Sequence, residues 1–217
     1  EFMGKCYLCE TDQFSVNVEH FVPHKRNKDL KFDWNNLFYA CEHCNNLKGE
    51  MKILDCTNPA HDVENRIYYN AAYFPWHRVH IEAADYPGHL EDEEDEESGQ
   101  EALFDEEAVR QADEAYEARL QALTGNTVEL LNRIYNGSSV IKTKGAAKLK
   151  QYLIQEMIRF QDLLLKYERN KYNPHYREQT EAEIAAELDR GSKLTAFKRQ
   201  IIKDYPALWE KFEQYFN

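Results

Sequence analysis

Two C-x2-C pairs, Cys6 with Cys9 and Cys41 with Cys44, are separated by residues 10–40 of a 217-residue chain. Each pair is the spacing at which one tight turn offers two thiolates to a single metal ion, and two such turns complete the tetrahedral set of a structural zinc site. Any fold that uses this clamp must bring the chain near residue 6 beside residue 44. The separation is longer than in a minimal zinc ribbon, so a segment with its own task can fill the gap. Disulfides are the poorer use of these thiols. Five cysteines is an odd number, and no charged stretch followed by an apolar one marks the chain for export. Cys56 stands outside the pattern and is expected as a small buried apolar residue.

The gap reads as strand, loop, strand, helix. Residues 15–21, "SVNVEHF", alternate apolar and polar side chains, and Pro23 with the charged "HKRNKD" then breaks the strand. "NNLFYA" reads as a second strand that delivers the chain to Cys41, and a short helix is expected from about Cys44 to Met51. Zinc would cross-link the start of this unit to the beginning of its helix, which stabilises a motif too small to hold itself together.

Three further motifs lie inside that frame: Glu19-His20-Phe21-Val22-Pro23, Asp33-Trp34-Asn35-Asn36-Leu37, and Cys41-Glu42-His43-Cys44-Asn45-Asn46-Leu47-Lys48. In order and spacing this set resembles the HNH nucleases of ββα-metal fold. The likeness covers about residues 5–55. It implies phosphodiester hydrolysis, which needs a water nucleophile in line with the leaving oxygen and positive charge on the phosphate. His20 suits the general base, since an imidazole accepts a proton near neutral pH. By the same resemblance Asn36 orients that imidazole, while Glu19 and Asn45 bind a catalytic Mg2+ or Mn2+ through hard oxygen ligands. Lys48, three residues beyond Asn45 on one helix face, would contact a phosphate. Strict strand alternation aims Glu19 and His20 at opposite faces, so their convergence on one ion requires a strand end or a bulge.

The remainder is organised differently. Residues 66–81 are aromatic and β-prone, expected as a hairpin or strand beside the first unit, with tyrosines for core packing or base stacking. "EDEEDEE", residues 91–97, reads as a solvated linker. Helices are expected at about 101–123, 127–135, 145–172, 180–189 and 193–216. The longest carries Leu149, Leu153, Met157, Phe160, Leu164 and Tyr167 at spacings of three and four, a stripe for bundle packing. The fold class expected is therefore α+β: a small zinc-stabilised ββα-metal unit followed by a mainly α-helical region. Its divisions are 3–90 for the HNH unit with the four-cysteine Zn2+ site, 91–100 for the acidic linker, and 101–217 for a helical partner-binding region.

Charge argues against independent capture of nucleic acid. The formal net charge is −12, whereas phosphate binding draws on clustered cations. The acidic excess lies mostly between Glu82 and Glu117, while Lys25, Arg26, Lys28 and Lys31 gather in the loop after His20. A partner that supplies binding fits this balance. More loosely, "NPAHDVENRIYY" and "GSKLTAFKRQII" resemble the PtuB-type HNH subunits of bacterial Septu anti-phage systems, which implies an ATPase (PtuA-like) subunit docked through the helical region. The chain itself has no G-x4-G-K-[ST] phosphate loop. DNA is the expected substrate, with RNA as the alternative. A zinc-stabilised interaction module without turnover and a self-sufficient nuclease are the competing readings. No apolar run approaches the ~20 residues of a membrane span, so no membrane partner and a cytoplasmic location are expected.

Overall fold

A computed structural model describes residues 2–70, 78–85, 106–137 and 140–216. The acidic linker, 91–100, and the middle of the aromatic segment lie outside the described residues.

The N-terminal unit is built on a two-stranded antiparallel pair, β1 (Val16–His20) and β2 (Leu37–Cys41), with Val16 opposite Cys41 and His20 opposite Leu37. Between the strands the charged loop contains a short helix, α1 (Lys28–Phe32), where a loop alone was expected. Asn27 starts it, its side chain accepting from the N–H groups of Asp29 and Leu30. A single 3-10 turn over Trp34–Asn36, capped by the Asp33 side chain, leads into β2. Helix α2 (Glu42–Lys48) follows β2 directly, starting two residues before the expected position because the Cys41 sulfur accepts from the N–H of Cys44 and so caps it. It stops at Gly49, whose φ of 52° is a conformation that a side chain disfavours.

A second antiparallel pair, β3 (Ile67–Asn70) and β4 (His80–Ala83), fulfils the hairpin expected from the aromatic segment. It is preceded by α3 (Val63–Arg66). Tyr69 packs its ring on Phe197 with centroids 4.9 Å apart, and Tyr68 donates to Asp204, so these tyrosines take structural roles.

Among the described residues five α-helices follow: α4 (Glu106–Asn136), α5 (Val140–Asn170), α6 (Pro174–Leu188), α7 (Thr195–Lys203) and α8 (Pro206–Phe212). The break expected near Gly125 does not occur. Leu120, Leu130, Leu131 and Ile134 form a continuous buried stripe across it, and Thr124 and Thr127 return their hydroxyls to carbonyls one turn back. One glycine costs a helix about 1 kcal/mol, less than that stripe recovers by burial. Conversely, the single helix expected over 193–216 is divided, because Pro206 cannot continue α7 and opens α8 instead.

The helices and the cysteine unit share one core. A single apolar cluster links Cys6, Leu8, Cys44 and Leu47 to Leu130, Ile134 and Leu153, and on to Phe197, Ile202 and Phe212. Polar contacts cross the same seam. The backbone N–H of Ala196, in the first turn of α7, donates to the Glu10 carboxylate at 2.9 Å, and that of Leu194 donates to the Glu10 carbonyl at 3.2 Å. Asn132 and Asn136, one turn apart on α4, bond both backbone groups of Ile81 and Val79 and so satisfy the edge of β4 as a neighbouring strand would. Residues on both sides of the expected 3–90 and 101–217 division thus bury each other. Among the described residues no helix is long and apolar enough to cross a membrane.

Candidate active site

All four cysteines of the two pairs are buried, and their sulfur atoms lie within 4.8 Å of one another. Cys9 and Cys41, one from each pair, have sulfurs 3.9 Å apart. A tetrahedral zinc with Zn–S bonds of about 2.3 Å sets its sulfurs roughly 3.8 Å apart. The donor set fits a Zn2+ ion in number, chemistry and spacing. Each knuckle is held by its own backbone: the Cys6 N–H donates to the Thr11 carbonyl, the Glu10 N–H returns to the Cys6 carbonyl, and the second pair lies on the first turn of α2. Burial pushes the Cys44 thiol well above its ordinary range. The Cys6 thiol is drawn well below it by hydrogen bonds from Cys41 and then Cys44. A bound cation would let all four sulfurs ionise together. Cys56 is exposed, contrary to expectation, and lies outside this cluster.

His20 ends β1 with a half-buried imidazole. Its Nε2 lies 3.1 Å from the carbonyl oxygen of Lys31. A carbonyl can only accept, so Nε2 carries the proton and donates, which leaves the lone pair of Nδ1 free in the neutral ring. The ring of His24 sits 4.6 Å from that of His20, centroid to centroid.

Among the described residues the Asn36 side chain makes no hydrogen bond to the imidazole. Its Oδ1 accepts from the Val22 N–H at 2.6 Å, and its Nδ2 donates to the carbonyls of Val22 and Leu30, both at 2.9 Å. The buried carboxamide thereby ties the chain just after His20 to the residue before Lys31, whose carbonyl holds the ring. The expected direct contact is replaced by orientation through backbone.

Glu19 and Lys48 depart furthest from their expected roles. Alternation carries Glu19 to the inner face of β1, where it is only 4% exposed. There one carboxylate oxygen lies 2.6 Å from Lys48 Nζ, and the other accepts from the Tyr7 hydroxyl at 2.7 Å. Lys48, 1% exposed, also donates to the Phe21 carbonyl at 2.9 Å. Burial, followed by the adjacent Glu19 charge, drives the Tyr7 hydroxyl far above the ordinary phenol range. Both carboxylate oxygens are thus committed inside the protein, and so is the ammonium. In this arrangement the carboxylate and the ammonium satisfy each other inside the protein, and neither stands at the surface. The triad instead fastens the end of α2 to the end of β1.

Asn45 is half-buried one turn before Lys48, and among the described residues its carboxamide makes no hydrogen bond. It remains an available hard oxygen donor. Tyr7, which lies between the first two cysteines, belongs to no sequence motif, and its bond to Glu19 is visible only in the folded chain. Phe32 and Trp34 stand in the exposed "KFDW" beside Lys31, and their unusual solvent exposure is visible only in the folded chain.

Comparison with known proteins adds one match. No curated protein and no solved structure is significantly similar to this chain, so nothing there bears on the anti-phage likeness. Residues 6–50 match the HNH endonuclease family model, and the chain carries an HNH domain over the segment that holds both cysteine pairs and His20.

Proposed function

We propose that the chain is an endonuclease that hydrolyses phosphodiester bonds of nucleic acid with His20 as general base. The observation that carries this reading is the imidazole itself: inside the HNH segment, its Nε2 is fixed by the Lys31 carbonyl, and its Nδ1 is left free to take a proton. In the step proposed, a water oxygen bonds to phosphorus, its proton passes to His20 Nδ1, and the bond from phosphorus to the leaving oxygen breaks in line. Asn36 keeps the Leu30–Lys31 backbone, and with it the ring, in place. HNH nucleases use a divalent cation, for which Mg2+ or Mn2+ is the proposal. Asn45 suits such an ion by its chemistry, while the Glu19 carboxylate is paired with Lys48 and Tyr7. The zinc at Cys6, Cys9, Cys41 and Cys44 would be structural, since four protein sulfurs leave no open position for a substrate.

The acidic balance supports a finer proposal. A chain of formal charge −12 approaches nucleic acid poorly, so a partner ATPase subunit would deliver the substrate, as in anti-phage complexes of the type resembled. Ile158, Leu165, Tyr172 and Tyr176, exposed on α5, α6 and the turn between them, suit its docking. Cleavage of plasmid DNA, single-stranded DNA and RNA by the purified chain, with and without added Mg2+ or Mn2+, tests the enzyme reading. Divalent-dependent strand scission is expected. No scission of any substrate by the chain, alone or co-purified with proteins of its native operon, would leave the interaction module as the better description.

A further inference from the structure

The surface beside His20 combines two features that packing does not require. Helix α1 buries none of its residues, and the 3-10 turn after it buries only Asn36. Yet this stretch carries Phe32, 73% exposed, and Trp34, 84% exposed. Large aromatic rings are seldom left so open to water, because removing their apolar surface from water is favourable. Residues 25–34 carry Lys25, Arg26, Lys28 and Lys31 against Asp29 and Asp33, a local positive excess in an acidic molecule. Lys25 pairs with Glu50 at the surface, but among the described residues Arg26, Lys28 and Lys31 make no ion pair. Lys31 Nζ lies 5.4 Å from the centroid of the Phe32 ring.

Position joins these features to the chemistry. The carbonyl that holds His20 belongs to Lys31, so Phe32 is the very next residue and Trp34 lies two further on. Both solvent-facing rings thus lie within three residues of the backbone carbonyl that holds His20. In a duplex, the faces of internal bases are covered by their stacked neighbours, and side chains reach only the base edges in the grooves. Unpaired bases expose their faces, and these are what aromatic side chains bind, in a sequence-tolerant way, while cations track the phosphates.

We propose that Phe32 and Trp34 form a base-stacking platform, flanked by Arg26, Lys28 and Lys31, that presents single-stranded nucleic acid to His20. The proposal rests on the nuclease reading for what happens after binding, but binding itself can be measured without turnover. The platform takes its ligand from either unpaired DNA or unpaired RNA, since both offer the same base faces and phosphates.

The experiment uses the full chain carrying His20→Ala, which stops turnover. Fluorescence anisotropy with labelled 20-nucleotide DNA, RNA, the matching DNA duplex, and an abasic strand of the same length gives four affinities. Each lost stacking contact is expected to weaken binding by about fivefold or more. Phe32→Ala with Trp34→Ala should thus reduce single-strand affinity by at least about 25-fold and leave duplex and abasic binding unchanged. Trp34→Tyr, which retains a ring, should preserve most of it. The tighter of the DNA and RNA arms identifies the substrate. Both positions are exposed, so zinc content and circular dichroism of the variants should match the parent. Duplex binding as tight as single-strand binding, or an unchanged affinity in the double alanine variant, would overturn the platform. Stacking-dependent binding in a chain that cleaves nothing would instead overturn the nuclease reading and leave the platform standing.

Discussion

Lys48 occupies a motif position in the sequence and a buried ion pair in the fold. Its position in the sequence suggests a phosphate contact, but its ammonium is enclosed with the carboxylate of Glu19 and the hydroxyl of Tyr7. Removing one member of a buried pair strands the other charge in a medium that solvates it poorly, at a cost of about 3–5 kcal/mol. Lys48→Ala is therefore expected to lower unfolding stability by about that amount in urea titration, whereas Glu19→Gln combined with Lys48→Met should recover most of the loss. A Lys48→Ala protein of unchanged stability but weaker nucleic-acid affinity would restore the phosphate role. Alternation along β1 already separated Glu19 from His20 in the sequence. Nothing there could reveal Tyr7 as the partner, because the contact depends on how the first knuckle folds over β1.

At the scale of elements, two glycines in long helices have opposite meanings. Gly125 faces open space in α4, so Gly125→Ala should stabilise the protein by up to about 1 kcal/mol through helix propensity alone. Gly145 lies on α5 against His43, where an added Cβ would come within 2.5 Å of the ring Nδ1. That ring cannot easily yield, being stacked on Phe14 and bonded through Nε2 to the Ile134 carbonyl at 2.9 Å. Gly145→Ala should destabilise by roughly 1–3 kcal/mol despite the better propensity, and thermal melts of the two variants should move in opposite directions. The sequence made the strands, the apolar stripe of α5 and the short helix after Cys41 legible, because each has a local period or cap. It misplaced the ends in α4 and α7. In α4 the burial of Leu120, Leu130 and Ile134 along one line outweighs Gly125, and after α7 the fixed φ and missing N–H of Pro206 end one helix and open the next.

For the whole molecule, the cysteine clamp and the helical core depend on each other. Glu10 in the first knuckle receives the start of α7, and Tyr135 of α4 donates to the Cys9 carbonyl at 3.4 Å. The chain is expected to bind about one zinc ion, and Cys41→Ser with Cys44→Ser should lose both the metal and much of the cooperative unfolding of the helices. Elemental analysis and circular dichroism would check this pair of effects. Zinc should also be released as the pH falls, since protonation of the thiolates competes with the metal. Normal stability and no zinc in the parent protein would remove the clamp from the account. Removing residues 101–217 would uncover the core around Leu47 and Cys44, so a partner interface is better sought by substitutions at Leu165 or Tyr176 than by truncation.

The central claim is that the free Nδ1 of His20 takes the proton from the attacking water. Its most direct measurement is the single-turnover cleavage rate of the parent and of His20→Ala, with Mg2+ or Mn2+ present and both proteins shown to hold equal zinc and to melt alike. The account predicts a fall of at least about 10²-fold in the variant. Equal rates in the two proteins would contradict it.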